Sequence, residues 1–470
     1  MTQDRPHSLG LTEALAALRG GRLTSRDYVE ALIARCEAMD HLGALVAHDW
    51  TALRAAADDA DTSGKAGEGL TGVPLCLKDN INTTGLPTGA ATAALRGWMA
   101  AEDAPIARAL FDAGALLGAK GNMHELAFGI TNNNAATGAA RNPWNPEMIP
   151  GGSSGGVAVA VAARMMPAGI GTDTGASVRL PAALCGLVGF RPTVGRYSGA
   201  GIVPISNTRD TAGPMTRGVA DARLLDAVMA GEDGRDVVVR LDGLRLGVPQ
   251  AYFRDNLDPS VGANMSAVLD RLTDAGVDLV EADIDDVAAL NEAVSFPVAL
   301  YEFMNHLPRF LDAHGIALSM QQICDAVESP DVKGVFLSQL GEDAVPEAVY
   351  RQAIEVERPR LQAAYARYFE GNRVDAVLFP TAPLPARPIG HDETVDLNGE
   401  QHPTFPIFIR NTDPASNAAI PGISLPSGLT PDGLPLGIEL DGPAGSDTRL
   451  LAIAAAVEEV LGFDAVPDGV

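Results

Sequence analysis

Apolar residues recur at helical spacing through residues 8–60. LTEALAALRGG carries a Thr12 cap signal and ends at Gly20-Gly21, LTSRDYVEALIARCEAMD starts from Ser25 as N-cap, and WTALRAAADDAD adds a third helix. After a polar, Gly-rich loop at 62–71 the period changes. VPLCL is short and apolar, as a buried strand is, and delivers Lys78 at its far end. A helix (APIARALFDAG) and a strand (ALLGAKG) follow, then an Asn-rich loop ending in ARNPWNP. VADARLLDAVMAG reads as a helix, LRLGVPQ and VDLVEAD as strands around the helix SVGANMSAVLDRLTDAG, and 286–370 as mainly helical. VDAVLFPTAP, PGISLPSG and LPLGIELDG read as strands, and TRLLAIAAAVEEVLG as a terminal helix. Strands alternating with helices predict an α/β fold whose sheet is covered on both faces.

The stretch from Pro150 to Arg191 breaks this rhythm. Two Gly-rich turns, GGSSGG and GTDTGAS, carry Ser153 and Ser177, with an apolar block between them. Glycine enters positive φ at no steric cost, so such turns bend sharply or come close to a ligand. Serines beside free backbone N–H groups suit acyl transfer, provided something activates them.

Three chemistries are candidates. GGSSG at 151–155 matches the G-x-S-x-G elbow of Ser-His-Asp hydrolases, but His306, His314, His391 and His402 downstream lack a Gly-rich, loop-like setting. A phosphate cradle would need a G-x-x-x-x-G-K-[ST] or a well-placed G-x-G-x-x-G, and neither is present. The third uses Lys78. Lysines number only four, at 65, 78, 120 and 333, and one at the end of a buried strand loses its proton readily because desolvation disfavours the ammonium. On the strand alone, a Lys78 that reaches solvent or pairs with Asp79 is the more common arrangement.

Composition narrows the picture. A chain of 470 residues with 46% hydrophobic content buries a large core, and length alone allows two or three domains. A net charge of −26 disfavours nucleic-acid and anionic-membrane partners. Cys36, Cys76, Cys185 and Cys324 are widely spaced, form no CxxC motif and suit a reducing, cytoplasmic setting. MTQDRPHSLG has neither the basic nor the apolar region of a signal peptide, and no apolar run approaches a membrane span.

GVPLCLKDN, GGSSGGVAVAVAA and GTDTGASVRLPAALCGLVGFRPT, flanked by ARNPWNP and TRDTAGPM, together resemble the amidase signature family. The likeness runs over most of 10–230 and returns at 374–465. It implies a single domain with a central mixed, twisted sheet between helical layers. Within it lie an N-terminal helical segment (1–65), a catalytic core (66–235), a peripheral, mainly helical region (236–370) and a C-terminal part of the core sheet (371–470). It also implies that Lys78 is the base, Ser153 the bridging serine and Ser177 the nucleophile. The 24-residue separation of the two serines matches the family and selects Ser153 over Ser154.

By the same resemblance Thr174, Gly175, Ala176 and Ser177 line the oxyanion hole. Ala127, Phe128, Gly129 and Thr131 face the substrate, and Ser154, Asp173 and Arg179 support the turn, the last two as a buried pair. Ala176 stands where many members have glycine, and its methyl is expected to narrow the mouth of the hole. The branch resembled contains indoleacetamide and mandelamide hydrolases, which implies a primary carboxamide on an aryl-acetic frame, with specificity in 290–345 and 405–420. No metal and no organic cofactor are implied. The partner is a small-molecule amide, and a homodimer is one admissible assembly. An amidotransferase A-type subunit, a hydrolase of urea, biuret, ester or anilide substrates, and a non-catalytic binding protein with an anion site are the alternatives.

Overall fold

The computed structural model describes residues 5–234 and 237–469. The N-terminal residues 1–4, within the stretch read for a leader, and the proposed boundary at 235/236 lie outside the described residues.

Thirteen strands are described: β1 (Leu45–Ala47), β2 (Pro74–Lys78), β3 (Leu116–Gly121), β4 (Ala168–Asp173), β5 (Val188–Arg191), β6 (Thr211–Thr216), β7 (Arg245–Gly247), β8 (Asp278–Val280), β9 (Ala376–Pro380), β10 (Thr394–Leu397), β11 (Glu400–Pro403), β12 (Gly422–Leu429) and β13 (Pro435–Asp441). Eleven of them form one sheet in the order β1-β3-β2-β4-β6-β5-β12-β13-β9-β7-β8, and β10–β11 make a separate hairpin. β3, β2 and β4 run parallel, as do β9, β7 and β8, while the strands between are antiparallel. The expected mixed α/β sheet is present. β7 and β8, from the region read as peripheral, complete one edge of it.

Helices α1 (Leu11–Arg19), α2 (Ser25–Ala38), α3 (Trp50–Thr62) and α4 (Pro105–Asp112) precede the Gly-rich stretch. α5 (Gly155–Ala162), α6 (Arg179–Cys185), α7 (Val219–Ala230) and α8 (Pro259–Asp274) pack on the sheet. α9 (Val287–Ala313), α10 (Met320–Ala326), α11 (Pro330–Leu340), α12 (Glu347–Gln352) and α13 (Arg358–Asn372) form the helical region, and α14 (Thr404–Ile409), α15 (Asp413–Ala418) and α16 (Asp447–Leu461) follow. Two cap assignments differ from expectation. Thr24, not Ser25, caps α2, because Ser25 spends its hydroxyl on Gly72 O. Gly10 caps α1, and Thr12 donates to Asp221 instead.

Side-chain parity on β2 sets up the site. Leu75 and Leu77 enter the apolar cluster that contains residues of α1, α4 and α7. Cys76 points to the opposite face, into the cluster built on α5. Lys78, two residues further, shares the Cys76 face and so ends beside the turn that starts α5. Every residue of α5 is buried, as expected of a helix apolar on all sides. Gly156 allows this close seating, since a Cβ there would lie 2.4 Å from the backbone of Asn122.

Candidate active site

Lys78 is fully buried at the end of β2. Its Nζ lies 2.8 Å from Ser153 Oγ, and it donates to Thr172 Oγ1 at 2.8 Å and Thr172 O at 3.2 Å. Asn80 Nδ2 also donates to Thr172 Oγ1, at 3.1 Å. Among the described residues no carboxylate sits at ion-pair distance from Lys78, so the pairing with Asp79 does not form. Asp79 instead accepts from Ala91 N at 2.8 Å. Burial drives the Lys78 pKa from 10.5 down to about 7, against the weaker pull of the Asp173 and Asp210 charges. An amine in this cage keeps all its partners when neutral: two N–H bonds to Thr172 leave its lone pair for the Ser153 hydroxyl.

Ser153 follows a cis peptide after Gly152 and is fully buried. Ser154 belongs to the turn: its N–H donates to Ser177 O at 3.2 Å and its hydroxyl to Thr172 O at 3.1 Å. These two bonds tie the Ser153 turn both to β4 and to the turn that carries Ser177. Ser177 precedes α6, which begins at Arg179, three residues later than the run from Ala176 suggests. The N–H groups of Gly175, Ala176 and Ser177 make no hydrogen bond among the described residues. They stand free at the wall of a cavity that Thr174, Gly175 and Ser177 help to line.

Ala176 does not narrow that cavity. It lies outside the positive-φ residues, is 1% exposed and joins the apolar cluster of Ile130, Leu180 and Leu184. A negative φ turns the methyl into the core, so a Cβ is accommodated there without strain.

The Asp173–Arg179 pair is present and is part of a larger network. Asp173 Oδ2 lies 3.1 Å from Arg179 Nε, and Asp173 Oδ1 lies 3.0 Å from Arg191 Nη1. Arg179 Nη1 also reaches Glu439 Oε1 at 2.8 Å, and Arg179 Nη2 donates to Gly175 O at 3.1 Å. Burial alone would raise the Asp173 carboxyl, but the two guanidiniums outweigh it and hold it far below the carboxylate range. Burial pushes the Glu439 carboxyl up to about 7 and that of neighbouring Asp441 well above its usual value. Arg191, Glu439 and Asp441 were invisible as site residues because they come from other strands. Alternation within LPLGIELDG, which puts two acids on one buried face, was the available signal.

The cavity beside Ser177 encloses about 250 Å³. Ala127, Phe128, Gly129 and Thr131 all line it. Thr131 donates to Asp392 Oδ1 at 2.7 Å. Gly129 is required by packing, since a Cβ there would stand 2.2 Å from the ring of His124. His124, missed in sequence, is fully buried, accepts from Asn132 N through Nδ1 at 3.2 Å and places Nε2 2.9 Å from Asp331 Oδ2. The opposite wall comes from α9 (Ser295, Phe296, Ala299, Leu300), α11 (Asp331, Val335) and α14 (Phe405, Pro406, Ile409), within the stretches expected to carry specificity. The region 236–370 thus supplies a wall of the cavity as well as a sheet edge.

The amidase family model matches residues 27–451. The indoleacetamide hydrolase of Rhizobium radiobacter is 53% identical over 453 residues, covering 96% of this chain and 97% of that protein. The mandelamide hydrolase of Pseudomonas putida is 39% identical, covering 98% and 92%. The solved native peptide amidase of Stenotrophomonas maltophilia superposes with a TM-score of 0.83 at 29% identity, covering 98% of each chain. The chain belongs to the amidase family, hydrolases that act on amide C–N bonds.

Proposed function

We propose that this amidase converts an arylacetic-type primary carboxamide to the carboxylic acid and ammonia, with Ser177 as nucleophile, Ser153 as proton relay and Lys78 as base. The observation that carries the reading is the buried Lys78 Nζ 2.8 Å from Ser153 Oγ, with no counter-ion to hold the amine charged. Neutral Lys78 takes the Ser153 proton as Ser153 takes that of Ser177, and Ser177 Oγ bonds to the amide carbon. The carbonyl electron pair moves onto oxygen, where the N–H groups of Gly175, Ala176 and Ser177 receive it. Thr174 frames that turn through its hydroxyl bond to Asp210 Oδ1 at 2.6 Å. On collapse, the C–N bond breaks and the proton returns through Ser153 to the leaving nitrogen, releasing ammonia. Water then attacks the acyl-Ser177 ester by the same proton route and frees the acid.

The acyl group follows from the cavity. At about 250 Å³ it lies below the ~300–1,000 Å³ of pockets that hold drug-sized ligands, so it suits one small ring system. Phe128, Phe296 and Phe405 provide aromatic walls. Relatives named for indoleacetamide and mandelamide support the same class. No described helix is long and apolar enough to cross a membrane, and the four free, buried cysteines favour a cytoplasmic setting. Light scattering of the purified protein distinguishes a monomer from a homodimer.

The test is turnover of phenylacetamide, indoleacetamide, mandelamide and aliphatic amides by the wild type and by Ser177→Ala. Arylacetamides as preferred substrates, and loss of both turnover and fluorophosphonate labelling in the variant, are expected. Retained turnover in Ser177→Ala, or a preference for aliphatic amides, refutes the proposal.

A further inference from the structure

The cavity beside Ser177 has an uneven electrostatic lining. Among its described residues are two carboxylates, Asp331 and Asp392, and one cation, Arg209. Arg209 is already spent on the fold. Its Nη2 lies 2.5 Å from Asp413 Oδ1, Nη1 donates to Ser295 O at 2.8 Å, and Nε donates to Thr174 O at 3.2 Å. Its charge is cancelled by Asp413, and each of its three nitrogens already has an acceptor.

Among the described residues neither acid is paired with a lysine or arginine. Asp392 accepts from the Thr131 hydroxyl at 2.7 Å and from the Asn133 amide at 2.6 Å, both neutral donors. Asp331 faces His124, whose Nδ1 accepts the Asn132 N–H. A ring nitrogen that accepts an N–H is not itself a donor, so only Nε2, 2.9 Å from Asp331 Oδ2, is left to face the carboxylate. Neutral donors stabilise a carboxylate without cancelling its charge. Asp331 lines the cavity and is over a third exposed, while His124 beside it is fully buried.

We infer that Asp331 and Asp392 are specificity-determining residues: they make the acyl cavity selective for arylacetamides that are neutral or cationic on the ring, and hostile to those bearing an anion there. The inference rests on the arylacetic-amide reading above and deepens it. The apolar walls choose the ring, while the two carboxylates choose its charge.

Matched para-substituted phenylacetamides test it. The nitro and carboxylate groups have similar shape but differ by one charge, as do hydroxymethyl and aminomethyl. The expected kcat/KM favours para-nitro over para-carboxy by roughly tenfold or more, from charge repulsion across a few ångströms at an effective dielectric near 20. Para-aminomethyl is expected to match or exceed para-hydroxymethyl. Both preferences shrink several-fold in Asp331→Asn and in Asp392→Asn. A wild-type nitro-to-carboxy ratio within about twofold, too small for a facing charge pair, overturns the inference, as do ratios unchanged in both folded variants. Should a variant fail to fold, the wild-type ratio decides alone. If neutral arylacetamides are hydrolysed without charge discrimination, only this inference falls; if they are not hydrolysed, the substrate reading falls and takes it along.

Discussion

Replacing Lys78 by methionine removes the proposed base and a folding cost together. The side chain is fully buried, and its pKa falls from 10.5 to about 7 on folding. In the unfolded chain the amine is charged at neutral pH, so burying it opposes folding by about 4 kcal/mol at pH 7. Because the native value is the depressed one, this cost is complete below about pH 7 and fades as the pH rises toward 10.5. Methionine keeps the volume and removes the cost, but forfeits the contacts to Ser153 Oγ, Thr172 Oγ1 and Thr172 O, worth about 1 kcal/mol each. Lys78→Met is therefore expected to be more stable than wild type by about 1 kcal/mol at pH 7, with the advantage shrinking by up to about 1.4 kcal/mol per pH unit and reversing on the alkaline side. Amidase activity should fall by about 10²–10⁴ or more through loss of the base. Urea unfolding followed by tryptophan fluorescence between pH 6 and pH 10, beside rate measurements, reads both effects. A variant less stable at pH 7 by an amount independent of pH refutes the account of the buried amine, and near-normal activity refutes its role.

Asp173→Asn should destabilise by about 3–5 kcal/mol, because Arg179 and Arg191 lose the charge between them in a buried site; a melting temperature near wild type contradicts this. Ala176→Gly should keep kcat within a few fold and cost about 1 kcal/mol of stability, since the methyl faces the core. A large rise in kcat would show that the methyl does obstruct the oxyanion turn. Gly129→Ala places a methyl against the held His124 ring, and should cost about 1–3 kcal/mol and raise KM for arylacetamides. An unchanged KM and melting curve would show that the loop yields freely.

Where burial and chemistry coincide within one short stretch, the candidate site is legible in the residues alone. Lys78 stood out because an apolar strand ends in a lysine, and the two Gly-rich turns stood out because glycine is concentrated where backbone must bend. Lys120 shows the limit of that signal. It too ends a buried strand and is fully buried, yet it donates to Ile81 O at 2.5 Å and to Thr88 Oγ1 at 3.1 Å, holding a loop. Only the third dimension separates the two lysines. The support of Asp173 by Arg191, and of Arg179 by Glu439, depends on strands 18 and 260 residues away, which no local pattern connects. The β10–β11 hairpin has a usable signal in the Asn398-Gly399 turn and the alternation of β10, but β11 (Glu400–Pro403) is polar and gives no strand pattern of its own. The caps at Thr12 and Ser25 were misplaced for a related reason: each hydroxyl found a distant partner in place of its own helix.

The cavity walls and the groups proposed to react with substrate are drawn from different parts of the chain. Lys78, Ser153 and Ser177 sit on β2, the turn before α5 and the turn after β4, whereas, apart from the loop at 127–131, most of the surface around the acyl group belongs to α9, α11 and α14. That separation gives the enzyme a divided inheritance. Mutations in the late helices can retune which acids are released while the proton path stays intact, so descendants with new diets need not pass through inactive ancestors.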